Sequence, residues 1–157
     1  MTERCQVMKI RVIVADRNNL VCEALCAMLK DFEHIEVVGA ATDCQAMIEL
    51  VKTASPSVLM MDMAISPLDT DDTIRQIRKA NSDVKVLLVN EYEDKEDILR
   101  GLKDGCDGYL PKRAKSTELM TALTALSQGG YFLYPSVAKK LVGEYLSLGQ
   151  KQKPGCR

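Results

Sequence analysis

Three charged residues stand where an open parallel sheet collects ligands. Asp16, Asp62 and Lys112 each directly follow a short apolar run, over residues 10–15, 58–61 and 108–111. Each run has the length and character of a buried strand, so each charge lies at the carboxyl end of a strand. Ligands of such sheets bind at that edge. Two carboxylates and one ammonium there predict a site that handles a metal ion and a phosphoryl group.

The elements that position these residues follow from hydrophobic periodicity. Apolar runs predict five strands, over residues 10–15, 35–40, 57–61, 84–89 and 107–110. Apolar residues at helical spacing predict helices over residues 19–30, 43–53, 70–80, 94–104, 116–128 and 136–147. This alternation is typical of a doubly wound α/β fold, a five-stranded parallel sheet with helices on both faces and a C-terminal helix. The strand order 2-1-3-4-5 would bring Asp16 and Asp62 together, but spacing alone does not establish that order.

Size and composition restrict the classes of protein to which the chain can belong. Its 157 residues fit one domain, and a net charge of -1 provides no basic field for nucleic acid. No apolar run approaches the roughly 20 residues of a membrane span, and the N-terminus lacks a signal core, so we expect a cytoplasmic protein without membrane contact. The 6 cysteines form no CxxC pair and the only histidine is His34, which favours reduced, buried cysteines over a zinc site.

Five segments of the chain carry motifs in a recognisable order, namely 11–16, 58–62 with Asp69, 85–90, 105–112 and the linker-like 129–138. Together they resemble a known family, the receiver domains of two-component response regulators, and the likeness runs from about Lys9 to Gln128. The last segment resembles the linker of regulators that carry a LuxR-type helix-turn-helix. None of these motifs is specific alone, but their order along the chain is.

The resemblance implies a flavodoxin-like fold and a phosphorylation switch. Asp62 would be the nucleophile that takes a phosphoryl group from a histidine kinase. Asn90 and Lys112 would bind the phosphoryl oxygens. Asn90 and Tyr109 would be the switch residues, and they would act on an output face formed by the fourth helix, the fifth strand and the fifth helix.

The resemblance also implies a Mg²⁺ site made by Asp16, Asp62 and the backbone carbonyl of Ala64. Members of the family usually have two adjacent acids after the first strand, whereas this chain has Asp16-Arg17. Because the second acid is normally a metal ligand, we expect a weakened Mg²⁺ site. The guanidinium of Arg17 could lie near Asp62 and partly replace the metal.

Three further positions depart from the pattern of the family. Asn90 stands where a hydroxyl residue is expected, Glu91 where a small residue is usual, and Thr70 where glycine is common. A carboxylate at Glu91 would repel an incoming phosphoryl group. A second interpretation is therefore a phosphorylation-independent receiver that serves as a dimerisation or protein-interaction module.

Two other classes of protein are less well supported by the residues. Phosphatases of the haloacid dehalogenase type also place an aspartate after a buried strand, but they need a second aspartate where this chain has Ala64, so we do not expect an enzyme. DNA contact would need a C-terminal helix-turn-helix, which this chain does not contain. The predicted partners are a histidine kinase or other phosphodonor and a second copy of the chain.

Composition divides the chain into four segments. Residues 1–8 are an N-terminal extension, residues 9–130 the receiver domain and residues 131–148 a linker helix. The remaining residues, 149–157, are polar and basic, which predicts a disordered tail.

Overall fold

The computed structural model describes residues 8–66, 70–92 and 94–152. Six strands form one parallel sheet in the order β2-β1-β3-β4-β5-β6. The strands are β1 (Ile10–Ala15), β2 (Ile35–Ala41), β3 (Val58–Met61), β4 (Lys85–Asn90), β5 (Gly108–Pro111) and β6 (Phe132–Leu133). The helices are α1 (Asn19–Lys30), α2 (Cys44–Thr53), α3 (Thr70–Ala80), α4 (Lys95–Lys103), α5 (Ser116–Ser127) and α6 (Pro135–Gln152). In the part of the chain that the structure describes, no helix is long and apolar enough to cross a membrane.

Alternating side chains of the central strands build two hydrophobic layers, one on each face of the sheet. In β1, Val12 and Val14 pack in the layer covered by α1 and α5. Ile13 and Ala15 pack in the opposite layer, to which α2, α3, α4 and α6 contribute. Because β1, β3 and β4 are buried on both faces, their sequences are continuous apolar runs rather than alternating patterns. The runs therefore predicted these strands correctly.

Helix boundaries follow the capping residues that the sequence supplies. Asp43 precedes α2, and its carboxylate accepts a hydrogen bond from the Ala46 N–H at 2.8 Å. Gly105 follows the last turn of α4 with a φ of 104°, a conformation that a residue with a Cβ rarely adopts. The observed helices begin and end within one or two residues of the predicted limits except at the C-terminus.

The prediction of five strands was wrong, because a sixth strand, β6, extends the sheet beyond β5. The Phe132 N–H donates to the Asp107 carbonyl oxygen at 3.2 Å, next to the β5 edge. A Cβ at Gly108 would lie only 2.9 Å from the Phe132 carbonyl oxygen, so the glycine lets the two strands approach. A strand of two residues is too short to show any period in sequence, which is why it was missed.

The C-terminal helix is longer than predicted, and it packs on the domain. It runs to Gln152 rather than to 147, so the tail predicted to be disordered from residue 149 begins inside α6, while residues 153–157 lie outside the described part. Val137 is fully buried against the layer that contains Ile98 of α4. Consequently β6 and α6 cover part of the predicted output face with the chain's own residues. Asp69, which belongs to the second of the five motifs, also lies outside the described residues.

Candidate functional site: an acidic pocket at the carboxyl edge of the sheet

The strand order places the two predicted carboxylates side by side. β1 and β3 are neighbours, and the register pairs Ala15 with Met61, the residues immediately before Asp16 and Asp62. The Asp62 N–H donates to the Ala15 carbonyl oxygen at 3.0 Å, which extends the ladder to the site itself. Asp16 is buried and Asp62 is half-buried. The predicted juxtaposition of the two acids is therefore present in the structure.

One oxygen of each carboxylate is held by a backbone amide two residues further along the chain. Asp16 Oδ1 accepts from the Asn18 N–H at 2.8 Å, and Asp62 Oδ1 accepts from the Ala64 N–H at 2.7 Å. Aspartate side chains commonly form such local turns by accepting a hydrogen bond from a backbone amide two residues further along the chain. They fix both carboxylates in orientation, and Asn18 in turn caps α1 by accepting from the Val21 N–H.

The second oxygen of each carboxylate binds the same cation. Lys112 Nζ lies 2.8 Å from Asp16 Oδ2 and 2.6 Å from Asp62 Oδ2. The Lys112 N–H donates to the Asn90 carbonyl oxygen at 2.8 Å, which anchors the lysine to the end of β4. Burial lowers the pKa of this ammonium, but hydrogen bonds and charges from Asp16 and Asp62 outweigh burial and raise the pKa above its ordinary value. The lysine is therefore a firmly protonated bridge between the two acids.

Asn90 is oriented by the loop that follows Asp62. The Met63 N–H donates to Asn90 Oδ1 at 3.0 Å. Because an N–H needs an acceptor, this bond assigns the oxygen end of the amide and leaves the NH₂ end as the donor. Tyr109, the other predicted switch residue, is fully buried, and its hydroxyl donates to the Tyr92 carbonyl oxygen at 3.2 Å. Both residues thus hold loops that border the acidic pocket.

The pocket opens into a cavity of about 610 Å³. Its polar end is lined by the two aspartates, Lys112, Arg17 and Glu91, as the sequence predicted. Its apolar part lies between α1 and α5, and the lining residues from α1 are Val21, Leu25 and Met28. This part was not predicted, because these residues have the spacing of an ordinary core face. Asp62 pairs with Lys112, whereas the exposed Arg17 lines the same cavity.

The donor set of this pocket suits a hard divalent cation but is small. The carboxylate oxygens of Asp16 and Asp62 already converge on one positive charge, and carboxylate and carbonyl oxygens are the ligands that Mg²⁺ prefers. Ala64 borders the same cavity. Within the described residues, no group of three or more histidine, cysteine or acidic side chains could hold a metal ion. The site thus offers a cation the carboxylates of Asp16 and Asp62, one acid fewer than the family pattern supplies.

Comparison with known proteins identifies the relatives of the chain. Residues 12–124 match the family model described as the response regulator receiver domain. The chain is 30% identical over 148 residues to the transcriptional regulatory protein DegU of Brevibacillus brevis, which covers 94% of this chain and 63% of the relative. It is 32% identical to MctR of Rhizobium johnstonii, covering 95% of this chain and 68% of that relative. The chain thus spans about two thirds of the length of these relatives.

Solved structures give the same result for the fold. The signal receiver domain of NarL from Mycobacterium tuberculosis superposes with a TM-score of 0.72 at 28% identity, covering 78% of this chain and 98% of that one. A LuxR-family response regulator from Aurantimonas superposes with a TM-score of 0.80 at 21% identity, covering 88% and 99% of the two chains. The second likeness concerns the fold alone.

Proposed function

The chain belongs to the response regulator receiver domains, the modules of phosphorelay signalling, and on that premise we propose that Asp62 is its phosphoacceptor. The observation that carries the proposal is the placement of Asp62. Its carboxylate lies at the end of β3, is held between the Ala64 N–H and Lys112, and lines the cavity. A half-buried carboxylate that is fixed in orientation and reachable from a cavity has the properties of a nucleophile.

The proposed reaction is transfer of a phosphoryl group to the Asp62 carboxylate. An oxygen of Asp62 forms a bond to phosphorus as the bond between phosphorus and the leaving group of the donor breaks, which gives an acyl phosphate. Oδ2 must first leave Lys112, which then binds an oxygen of the transferred group. Its compact charge has three donors and remains next to Asp16, so the lysine keeps one partner throughout.

Asn90 is proposed to bind the transferred group as a hydrogen-bond donor. Its oxygen accepts from the Met63 N–H, which leaves the amide NH₂ to bind a phosphoryl oxygen. A hydroxyl residue at this position would be smaller. We therefore infer that Asn90 stays close to its observed position during transfer and does not need the inward step of a shorter side chain.

Mg²⁺ is proposed to bind to Asp16, Asp62 and the Ala64 carbonyl oxygen. When bound, it would offset the negative charge of the transferred oxygens. Arg17 supplies no oxygen ligand where the family pattern has an acid, so Mg²⁺ binding is weaker than with two adjacent acids. The Lys112 ammonium already neutralises part of the acidic charge and competes with the metal for the same two oxygens.

We also propose that phosphorylation of this domain controls transcription in response to a histidine kinase. DegU and MctR are both transcriptional regulatory proteins by name, and this chain aligns with 63% and 68% of their lengths. The remaining third of each relative is not matched by this chain. The proposed output is therefore carried by a DNA-binding unit of the helix-turn-helix type outside the 157 residues.

The proposal is tested by the intact mass of the protein after incubation with Mg²⁺ and a small acyl phosphate. We expect a phosphoryl adduct in the wild-type protein and none in Asp62→Asn. In Arg17→Asp, which restores two adjacent acids, the Mg²⁺ concentration for half-maximal adduct formation should fall at least about tenfold, since an added charge at ligand distance contributes more than 1.4 kcal/mol.

Arg17→Ala is the matched control, because it removes the cation without adding a ligand. A modest gain in Arg17→Ala and a larger gain in Arg17→Asp would support the metal assignment. If neither wild type nor Arg17→Asp forms an adduct at saturating donor and metal, the receiver is phosphorylation-independent and Asp62 is not a phosphoacceptor.

A further inference from the structure

Two of the cysteines lie one helical turn apart on the same side of α1. Cys22 and Cys26 both line a cavity of about 700 Å³ between α1 and β2. Residues that are four apart are neighbours on a helix surface. The two thiols lie within hydrogen-bonding range of each other. Cys22 is buried and Cys26 is half-buried, so the pair can be reached from the cavity through its outer member.

The geometry of the helix disfavours a disulfide between these two cysteines. A disulfide needs Cβ atoms about 3.5–4.5 Å apart, whereas residues four apart in a helix have Cβ atoms about 5–6 Å apart. The helix is regular here, since the Cys22 N–H donates to the Asn18 carbonyl oxygen at 3.0 Å. Burial also raises the pKa of the Cys26 thiol, which keeps it protonated and slow to react as a nucleophile. The pair is therefore poorly suited to redox chemistry.

The same separation suits one metal ion held between two sulfur atoms. A metal–sulfur bond is about 2.3 Å long, so two such bonds in line place the sulfurs about 4.6 Å apart without moving the helix. Structural zinc takes four ligands. Among the residues that the structure describes, no group of three or more histidine, cysteine or acidic side chains could hold a metal ion. An ion that binds at this pair must therefore be satisfied by two thiolates.

Copper(I) has the chemistry that two thiolates alone can satisfy, because it is a soft, monovalent cation that thiolate ligands select. Glu23 and Asp31 line the same cavity, which favours the entry of a cation, and Lys30 lines it as well. The Lys30 ammonium can offset the net negative charge of a Cu⁺ ion bound by two thiolates.

We propose that Cys22 and Cys26 form a binding site for Cu⁺. On binding, each thiol releases its proton to solvent and a copper–sulfur bond forms in place of the S–H bond, with no change of oxidation state. The site faces β2, whereas the acidic pocket lies on the side of α1 that faces α5. Neither Asp62 nor Mg²⁺ takes part, so the failure of this proposal and the failure of the phosphoacceptor assignment are separate results.

The test is Cu⁺ binding by the full chain, measured without oxygen by competition with bathocuproine disulfonate, a coloured Cu⁺ chelator. We expect one tightly bound Cu⁺ per chain, with the ultraviolet absorption of copper(I)–thiolate bonds. In Cys26→Ser the dissociation constant should rise at least about 100-fold, because a single thiolate remains. X-ray absorption of the wild-type complex should show two sulfur neighbours around the metal.

Cys44→Ser is the matched control, because Cys44 is another half-buried cysteine and does not line this cavity. It should leave the dissociation constant within about threefold, as should Cys5→Ser and Cys156→Ser near the two ends of the chain. Circular dichroism should show the same fold for all variants. Cu⁺ binding by the wild type that is no tighter than that of Cys26→Ser would overturn the proposal. So would a loss in any of the three controls as large as that in Cys26→Ser.

Discussion

Two clusters of charged residues lie at opposite edges of the same sheet, and they differ in balance and in access. At the carboxyl edge, two acids, Asp16 and Asp62, share Lys112. At the amino edge, a single acid, Asp107, pairs with Arg78 at 2.9 Å and with Lys85 at 3.9 Å. The first cluster borders a cavity, whereas the acid of the second is enclosed by its hydrogen-bond and ion-pair partners.

The amino-edge cluster is satisfied by the fold. Asp107 Oδ2 accepts from the Val86 N–H at 2.9 Å as well as from Arg78. Arg78 also donates to the carbonyl oxygens of Val84 and Gly105, so it ties the end of α3 to β4 and to the loop before β5. A buried carboxylate with this many donors has a structural role.

The carboxyl-edge cluster has an excess of acid over base. Lys112 binds both carboxylates, so one negative charge remains within this ion-paired cluster; the cavity beside it is also lined by Glu91 and by the cations Arg17 and Lys115. An incompletely neutralised, reachable cluster is suited to bind a cation or to exchange partners. The ratio of charges and the access of solvent, more than burial of an acid, therefore distinguish the cluster proposed to be functional from the structural one.

The largest effect should come from removing the acid of the structural cluster. Asp107→Asn keeps the shape but leaves Arg78 and Lys85 without their carboxylate, so we expect the free energy of unfolding to fall by about 3 kcal/mol. Asp62→Asn should change it by less than about 1 kcal/mol, since Lys112 keeps Asp16 and a repulsive charge is lost. Urea unfolding measures both. Equal losses at the two sites would refute the distinction between the clusters.

An intermediate effect should follow from removing the shared cation. In Lys112→Met two neighbouring carboxylates lose the ammonium that binds them both, so we expect a loss of about 2 kcal/mol without metal. Added Mg²⁺ should recover stability in this variant more than in the wild type, because metal that binds the native state stabilises it. Thermal unfolding with and without Mg²⁺ reports this. Lys115→Met, an exposed lysine that borders the same cavity, is the control.

The smallest effect should be a loss of stability of the wild-type protein at alkaline pH. Because the folded-state pKa of Lys112 is raised, its stabilisation is complete below the ordinary lysine pKa of about 10.4 and is lost as pH rises through the folded value. Wild type should therefore lose more stability than Lys112→Met above that pH. Burial raises the pKa of Cys106 to about 12, but that thiol affects both proteins equally. Parallel slopes for the two proteins would contradict the assignment.

Much of the fold follows from local patterns in the sequence. Strands such as β3 and β4 are buried on both faces and appear as uninterrupted apolar runs, and α1 shows the period of a helix. The predicted order 2-1-3-4-5 was enough to bring Asp16 and Asp62 together. The strands and helices were predictable because each depends on residues close to one another in sequence, whereas spacing alone did not establish the strand order.

The missing parts depend on contacts between distant residues. Lys112 lies 50 residues from Asp62 and 96 residues from Asp16 along the chain. No spacing in the sequence specifies that one ammonium binds both acids. The pairing of Arg78 with Asp107 was not predicted either, because each residue alone resembles a solvated surface charge. The length of α6 was underestimated because Ser147 and Gly149 interrupt its apolar period.

The ends of the sheet have a consequence for how the chain behaves in crowded solution. β6 has only two residues, and β2, the other outer strand, has a register irregularity between Val37 and Gly39 where it pairs with β1. A short strand and a bulged strand offer few consecutive unpaired amides to a neighbouring molecule. Pairing of an outer strand with a strand of a neighbouring molecule is therefore disfavoured at both edges of the sheet.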